Sequence, residues 1–323
     1  GNYSEDALTS GDKNIGVGYG SLSAVTTGSE NVGIGDNALG QLTTTNGNTA
    51  LGSNAGFAVA GASNTAIGQY ALQAATTTND NTAVGASALT ANTGGASTTG
   101  IGSGALSANT TGASNTAVGA GSLNDNTTGA NNVALGRNTL SLNVTTSSNT
   151  AIGHEALKAN TASNNTAVGN AALVANTTGA SNTAMGHSAL AASTTGTENV
   201  AVGMYALDAS GAGTDGSYNV AVGNDALGAN TEGQFNVAVG RRALYANTVA
   251  DENTAVGYLA LMANTTGDSN TAIGVSALQA NTTASDNIAI GNRTMSANTT
   301  GTRNIAIGYS AYTGSDTEND NIA

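Results

Sequence analysis

A five-residue block of alternating character recurs along the chain. It reads Asn14-Ile15-Gly16-Val17-Gly18, then Asn31-Val32-Gly33-Ile34-Gly35, then Asn48-Thr49-Ala50-Leu51-Gly52, and continues to Asn304-Ile305-Ala306-Ile307-Gly308. Eighteen complete copies occur, and a truncated one, Asn321-Ile322-Ala323, ends the chain. The spacing is 17 residues, falling to 16 after Asn48 and Asn149 and rising to 20 after Asn199. The second position of the block is always Thr, Val or Ile, and the fourth is always Val, Ile, Leu or Met. Side chains alternate across a strand, so these two positions share one face. β-Branched residues suit that setting. The pattern predicts one short strand per unit, with its second and fourth residues turned into the interior.

The third position is always Ala or Gly, as at Ala117, Ala134, Ala151 and Gly33. By alternation it points outward, where ordinary exposure to solvent would let it vary. Its restriction to small residues predicts a face pressed against a second copy of the chain, with Ala117, Ala134 and Ala151 facing the oligomer. The fifth position is invariably Gly, as at Gly119, Gly136 and Gly153. Only Gly reaches positive φ freely, which predicts a sharp corner there.

Four residues after that Gly comes Leu in fifteen of the eighteen units, the exceptions being Gly56, Met295 and Tyr312. Ala dominates two residues later, as at Ala91 and Ala108. This stretch reads as a second short strand with Leu and Ala facing in. Asn then recurs at Asn92, Asn109, Asn126, Asn143 and Asn160. Identical amides in successive coils can hydrogen-bond along a stack, so these five are expected to form a ladder. A turn such as Thr110-Thr111-Gly112 closes the unit.

A 17-residue unit is too short for a helical repeat and suits one turn of a parallel β-solenoid. The expected fold is all-β: a single continuous solenoid over residues 1–323 of about 18 coils. Residues 1–13 would form a short irregular first coil, and 199–218 an enlarged one. Coils spaced at roughly 4.7–4.9 Å would give a rod of roughly 85–90 Å, stabilised by stacking of neighbour on neighbour.

Composition narrows the reading. Aromatic residues make up 3% and charged residues 8% of the chain, so any core is thin and built from small aliphatic side chains. Disorder fits poorly, because the chain is 39% hydrophobic and sparsely charged. The absence of Pro agrees with strands paired on both sides. A net charge of −13 with only seven Lys and Arg argues against nucleic acid as a partner. No apolar run is long enough to insert in a membrane, and no secretory leader is evident. The chain starts and stops within its pattern, so a longer fibre is expected. At the position before the repeated Asn, the acids Glu30, Asp80, Glu198, Glu252 and Asp286 never fall in adjacent coils, as stacking of like charges requires. Asp251 and Asp268 break that rule elsewhere.

The blocks Asn304-Ile305-Ala306-Ile307-Gly308 and Asn236-Val237-Ala238-Val239-Gly240 resemble the repeat in the head domains of YadA-type trimeric autotransporter adhesins. Similar arrays, including the Ala-Leu stretch, occur in phage tail-fibre proteins. The resemblance covers nearly the whole chain. It implies a homotrimer of left-handed parallel β-rolls, intertwined or side by side, with the block strands near the trimer axis. It also implies an extracellular structural protein for cell adhesion, on a virion tail fibre or a bacterial surface. The 17-residue unit is longer than that of the adhesins and closer in form to the fibre arrays.

Candidate chemistry is sparse. His154 and His187 occupy one unit position without Cys or further His, which does not make a metal site. Two His among many Ser and Thr do not make a nucleophilic triad, so no enzyme, cofactor or metal is expected. Asp251, Glu252 and Asp268 read as a solvated face. Tyr205, Tyr218, Tyr245 and Tyr258 sit at variable positions and are the candidates for contact with a host-surface glycan or protein receptor. The enlarged coil, with Gly211, Gly213, Asp215, Gly216 and Tyr218, could also carry recognition. A purely architectural filament is the alternative. Ice binding stands behind it, because Thr110 and Thr111 are adjacent and Thr116 is expected to point inward.

Overall fold

The computed structural model describes residues 4, 6–74, 76–209, 216–313 and 317–323. The fold is an all-β parallel solenoid, and the described residues include no helix. The chain divides into two compact units, Gly1–Ser163 and Asn164–Ala323. The first holds β1 (Ile15–Val17), β2 (Val32–Ile34), β3 (Thr49–Leu51), β4 (Thr65–Ile67), β5 (Thr82–Val84), β6 (Thr99–Ile101), β7 (Thr116–Val118), β8 (Val133–Leu135) and β9 (Thr150–Ile152). The second holds β10 (Thr166–Val168), β11 (Thr183–Met185), β12 (Val200–Val202), β13 (Val220–Val222), β14 (Val237–Val239), β15 (Thr254–Val256), β16 (Thr271–Ile273), β17 (Ile288–Ile290) and β18 (Ile305–Ile307). Within each unit every strand pairs in parallel with the next. The register is that of the block, so Ala117 lies beside Ala134 and Ala134 beside Ala151.

The two faces of these strands are the reverse of the sequence expectation. Ala117, Ala134 and Ala151 are completely buried within the single chain and do not face a second copy. A methyl group built at Gly100 would lie 3.2 Å from Leu89 Cγ, and one at Gly33 3.2 Å from Leu22 Cγ. The third position therefore looks across the interior at the Leu of the preceding coil. That Leu takes the available width, and only Ala or Gly fits opposite. The second and fourth positions turn outward, with Leu51 46% and Ile152 39% exposed. Thr116 is half-exposed on the same outer face.

The expected second strand is absent. Leu89, Leu106, Leu123 and Leu140 sit in turns with φ of 52°, 53°, 48° and 51°, the left-handed region. Their side chains are fully buried, as anticipated. The Ala that joins them inside is the one just before, as at Ala88 and Ala105, whereas Ala91 and Ala108 are half-exposed. The turn needs no extended backbone because it is stacked by its own inter-coil bonds. Leu106 N–H donates to the Ser122 carbonyl at 3.0 Å, and Ala108 N–H to that of Asn124 at 3.0 Å.

Gly119, Gly136 and Gly153 form the corner as expected, with φ of 133°, 134° and 130°. There is a second reason for Gly. A Cβ at Gly119 would lie 2.4 Å from the Gly136 carbonyl oxygen, and one at Gly136 would lie 2.6 Å from that of Gly153. Of the enlarged coil, residues 210–215, with Gly211, Gly213 and Asp215, lie outside the described residues. The coil on either side keeps register, since Val200 pairs with Val220 and Val202 with Val222.

Two outcomes test this packing. Ala134→Leu overfills the interior and should lower stability by about 1–3 kcal/mol or more in thermal unfolding, whereas Ala120→Ser, at an exposed turn position where the preceding unit has Ser103, should change it by less than about 0.5 kcal/mol. Gly136→Ala combines a disallowed φ with a backbone clash and should cost at least about 2 kcal/mol.

Candidate functional site

Polar groups inside the coils are organised into two ladders. In the expected one, Asn109 Nδ2 donates to Asn92 Oδ1 at 3.0 Å, Asn126 to Asn109 at 2.7 Å, and Asn143 to Asn126 at 3.1 Å. Each amide also ties down its own turn: Asn126 Nδ2 donates to the Gly129 carbonyl at 3.0 Å. Asn160 is buried in the same column and donates to the Ala162 carbonyl at 2.6 Å. The second ladder was not foreseen, although its residue is the repeated Asn of the block. Asn132 N–H donates to Asn115 Oδ1 at 2.9 Å, and Asn149 N–H to Asn132 Oδ1 at 3.0 Å. Asn115 Nδ2 reaches the Gly129 carbonyl at 2.7 Å. The near-invariance of that Asn was the signal for it. These amides satisfy buried backbone groups and present nothing to a ligand.

Most charged groups lie on the outside, and several act between coils. Lys13 Nζ meets Glu30 Oε1 at 3.1 Å, and Arg303 Nε meets Asp320 Oδ1 at 2.6 Å. The hydrogen bond from Arg303 holds the Asp320 carboxyl below its ordinary pKa, and that from Lys158 does the same for Glu155. The neighbouring Asp251 and Asp268 are also accounted for. Asp251 Oδ1 accepts from Gln234 N–H at 2.6 Å, and Asp268 Oδ1 accepts from Asp251 N–H at 2.9 Å. Each carboxylate thus satisfies a backbone amide of the preceding coil, which offsets part of the repulsion between them. Among the described residues no three His, Cys, Asp or Glu side chains gather as a metal site would require.

Two surfaces remain that could meet a partner. One is the outer face of the strands. Its fourth-position row is aliphatic throughout, from Val17 to Ile152 in the first unit and from Val168 to Ile307 in the second. Met185, in the second unit, is 45% exposed. None of the outward strand positions carries a charge.

The other surface is an aromatic cluster in the second unit. Five of the eleven Tyr and Phe residues fall between 205 and 258. Tyr205 and Tyr245 line one cleft of about 200 Å³, together with Asp208, Asp225 and Gly228. The His187 ring packs edge-on against Tyr205 with centroids 5.4 Å apart. The Arg242 guanidinium lies 4.9 Å from the Tyr245 ring centroid, and its Nε is 3.6 Å from Asp225 Oδ2. Tyr218 is not in this cleft; it stacks on Phe235 with centroids 5.1 Å apart and planes 6° from parallel. Tyr258 lies outside the cleft as well, with the Arg241 guanidinium 5.8 Å from its ring centroid. Sequence reading picked out Tyr205 and Tyr245 but missed Asp208, three residues from Tyr205, and Asp225 and Gly228, which join them through the coil register.

Comparison of the chain with protein-family models gives no match, and comparison with curated proteins gives none. The class of the molecule, a parallel β-solenoid with a thin amide-laddered interior, rests on its geometry.

The first ladder yields a test. Asn126→Ala removes three side-chain hydrogen bonds in a buried column and should cost about 2–4 kcal/mol. Asn126→Asp should be worse at neutral pH, because a carboxylate there faces the Asn109 and Gly129 oxygens. Burial and those two oxygens outweigh the single donor, Asn143 Nδ2, and raise the folded-state pKa of that Asp. The folded state then holds the proton more tightly than the unfolded one, so stability falls as pH rises above about 3.9, the unfolded value. Unfolding measured against pH should show this variant recovering in acid and Asn126→Ala unchanged.

Proposed function

We propose that the chain is a segment of a homotrimeric attachment fibre, built from left-handed β-rolls whose outward strand faces meet around the trimer axis. The observation that carries this is the uncharged outer face. A row open to solvent for nine coils would admit charge somewhere, and this chain places all twenty acids and seven bases elsewhere. In each unit the aliphatic row would run for about 40 Å at the usual strand spacing. Exposed apolar stripes of that extent mark interaction surfaces. A second copy of the same stripe is its natural cover, and closed symmetry about an axis covers every copy equally. The Val, Ile and Thr of the strands thus take the role first expected of Ala117, Ala134 and Ala151.

The resemblance to adhesin heads and tail-fibre arrays supports three-fold closure and an extracellular setting. The unit length and the Ala-Leu stretch favour a phage tail fibre over a bacterial surface adhesin. Receptor contact, to a glycan or a protein, falls to the variable turn positions, where the aromatic residues are. The reading assigns the chain no reaction and no cofactor.

Ice binding gains from one observation: Thr116 and nine other strand Thr turn outward in a regular row. Against it, eight positions of that row are Val or Ile, and the adjacent row holds no Thr.

Light scattering on the chain at low concentration should give three times its 31.1 kDa. Val118→Glu with Leu135→Glu, both outward, should lower that mass while the β-sheet circular dichroism persists. A folded monomer that shows thermal hysteresis would replace the fibre with the ice-binding reading.

A further inference from the structure

The cleft at Tyr205 and Tyr245 departs from the regularity of the solenoid in a way that suggests a ligand. Its residues come from two unit positions in successive coils. One position supplies Tyr205 and Asp225, with Arg242 next in the same column; the other supplies Asp208, Gly228 and Tyr245. Large, small and charged side chains are thereby set side by side. Gly228 opens the middle of the second column: a Cβ there would lie 3.1 Å from Tyr245 Cδ2 and Cε2, so the tyrosine ring leans into the space. Asp208 is only 7% exposed, yet it lines the cleft.

The chemistry narrows what such a cleft would take. Two phenol rings offer flat apolar surface with a polar edge. Two carboxylates, Asp208 and Asp225, accept hydrogen bonds from hydroxyl groups. Arg242 lies beside Asp225 and offsets one of the two charges. The carboxylates disfavour an anionic ligand, and a neutral polyhydroxylated one supplies the donors they accept from. The volume of about 200 Å³ suits one sugar ring. None of the lining residues is a strand residue, so covering the outward strand face leaves them free.

We propose that this cleft binds one neutral hexose unit of a surface glycan, with Tyr205 and Tyr245 packing on the ring and Asp208 and Asp225 accepting its hydroxyl protons. The proposal rests on the attachment reading and supplies its receptor class.

The probe is an array of immobilised oligosaccharides ending in glucose, galactose, mannose or N-acetylglucosamine, beside a sialylated set, followed by titration of the best monosaccharide in solution. The expected result is selective binding of one neutral class, with a Kd of about 1 mM for a single ring. Tyr205→Ser and Tyr245→Ser should each weaken it roughly tenfold. Both should fold, because the chain already uses Ser at these two positions, in Ser188 and Ser276 for the first and Ser296 for the second. Tyr258→Ser, outside the cleft, should bind as the parent does. Binding that survives Tyr205→Ser with Tyr245→Ser, preference for sialylated glycans, or no binding by the folded parent would each overturn the cleft. Solution mass decides the fibre reading separately, so a trimer that ignores every glycan sinks the cleft alone.

Discussion

The narrow interior governs this molecule. Each regular coil sets one large side chain, the Leu, against its strand layer, and the strand residue across from it must be small. Once Ala or Gly occupies that inward position, alternation sends the two flanking residues of the strand outward. The apolar outer face is therefore a consequence of the thin core. A solenoid that cannot store its Val and Ile inside must display them, and displayed aliphatic rows call for a partner.

Burial alone does not hold such coils. A buried Leu contributes about 1.5–3 kcal/mol. Each non-Gly residue in the left-handed region costs roughly 1–2 kcal/mol, and a typical coil has two or three of them, such as Ser114 and Leu123 or Asn131, Asn138 and Leu140. The left-handed turns cost at least as much as that burial returns. What remains is the stack: strand ladders, turn amides such as Leu123 N–H to the Thr139 carbonyl at 3.0 Å, and the two Asn columns. All of these need a neighbouring coil of the same shape, so a single coil has no stability of its own. In the first coils the column of the first ladder is filled by Val25, Leu42 and Val59, and its run of Asn begins at Asn92. An amide supplies both a donor and an acceptor along the stack, which no carboxylate or alkyl group does.

Much of this was legible in the chain. A fixed 17-residue period gave the coil, the invariant Gly gave the corner, and the runs of Asn gave the first ladder. Periodicity does not reveal which side of a strand is inside, and that was misread. Three hints were present. Thr stands at ten of the eighteen second positions, a poor choice for a dry core. The fourth position ranges in size from Val118 to Met185, which a tight interior would not accept. The inward Leu of most units fills the space against the strand and leaves none there for two further aliphatics. The second strand failed for a different reason: left-handed turns at Leu and Ser are a property of the stack, and no local propensity announces them. The cleft was half visible, since Tyr205 and Tyr245 stood out as exposed aromatics. Asp208 stands three residues from Tyr205 in its own coil, whereas Asp225 and Gly228 come from the next coil and needed the register.

The surface is divided between two kinds of position. The outward strand rows are uniform, uncharged and repeated in every coil, whereas the turn positions around them hold the chain's acids, bases and aromatic rings. In the proposed trimer, a surface that matches other copies of itself coil after coil cannot vary in one coil alone, because a change there would be repeated in every copy around the axis. Turn positions carry no such restriction. They can change singly, as from Ser188 to Tyr205 or from Gly228 to Tyr245, without disturbing the stack. Recognition in this architecture is therefore expected where the repeat is least regular, and the aromatic cluster between 205 and 258, beside the one enlarged coil, is that place.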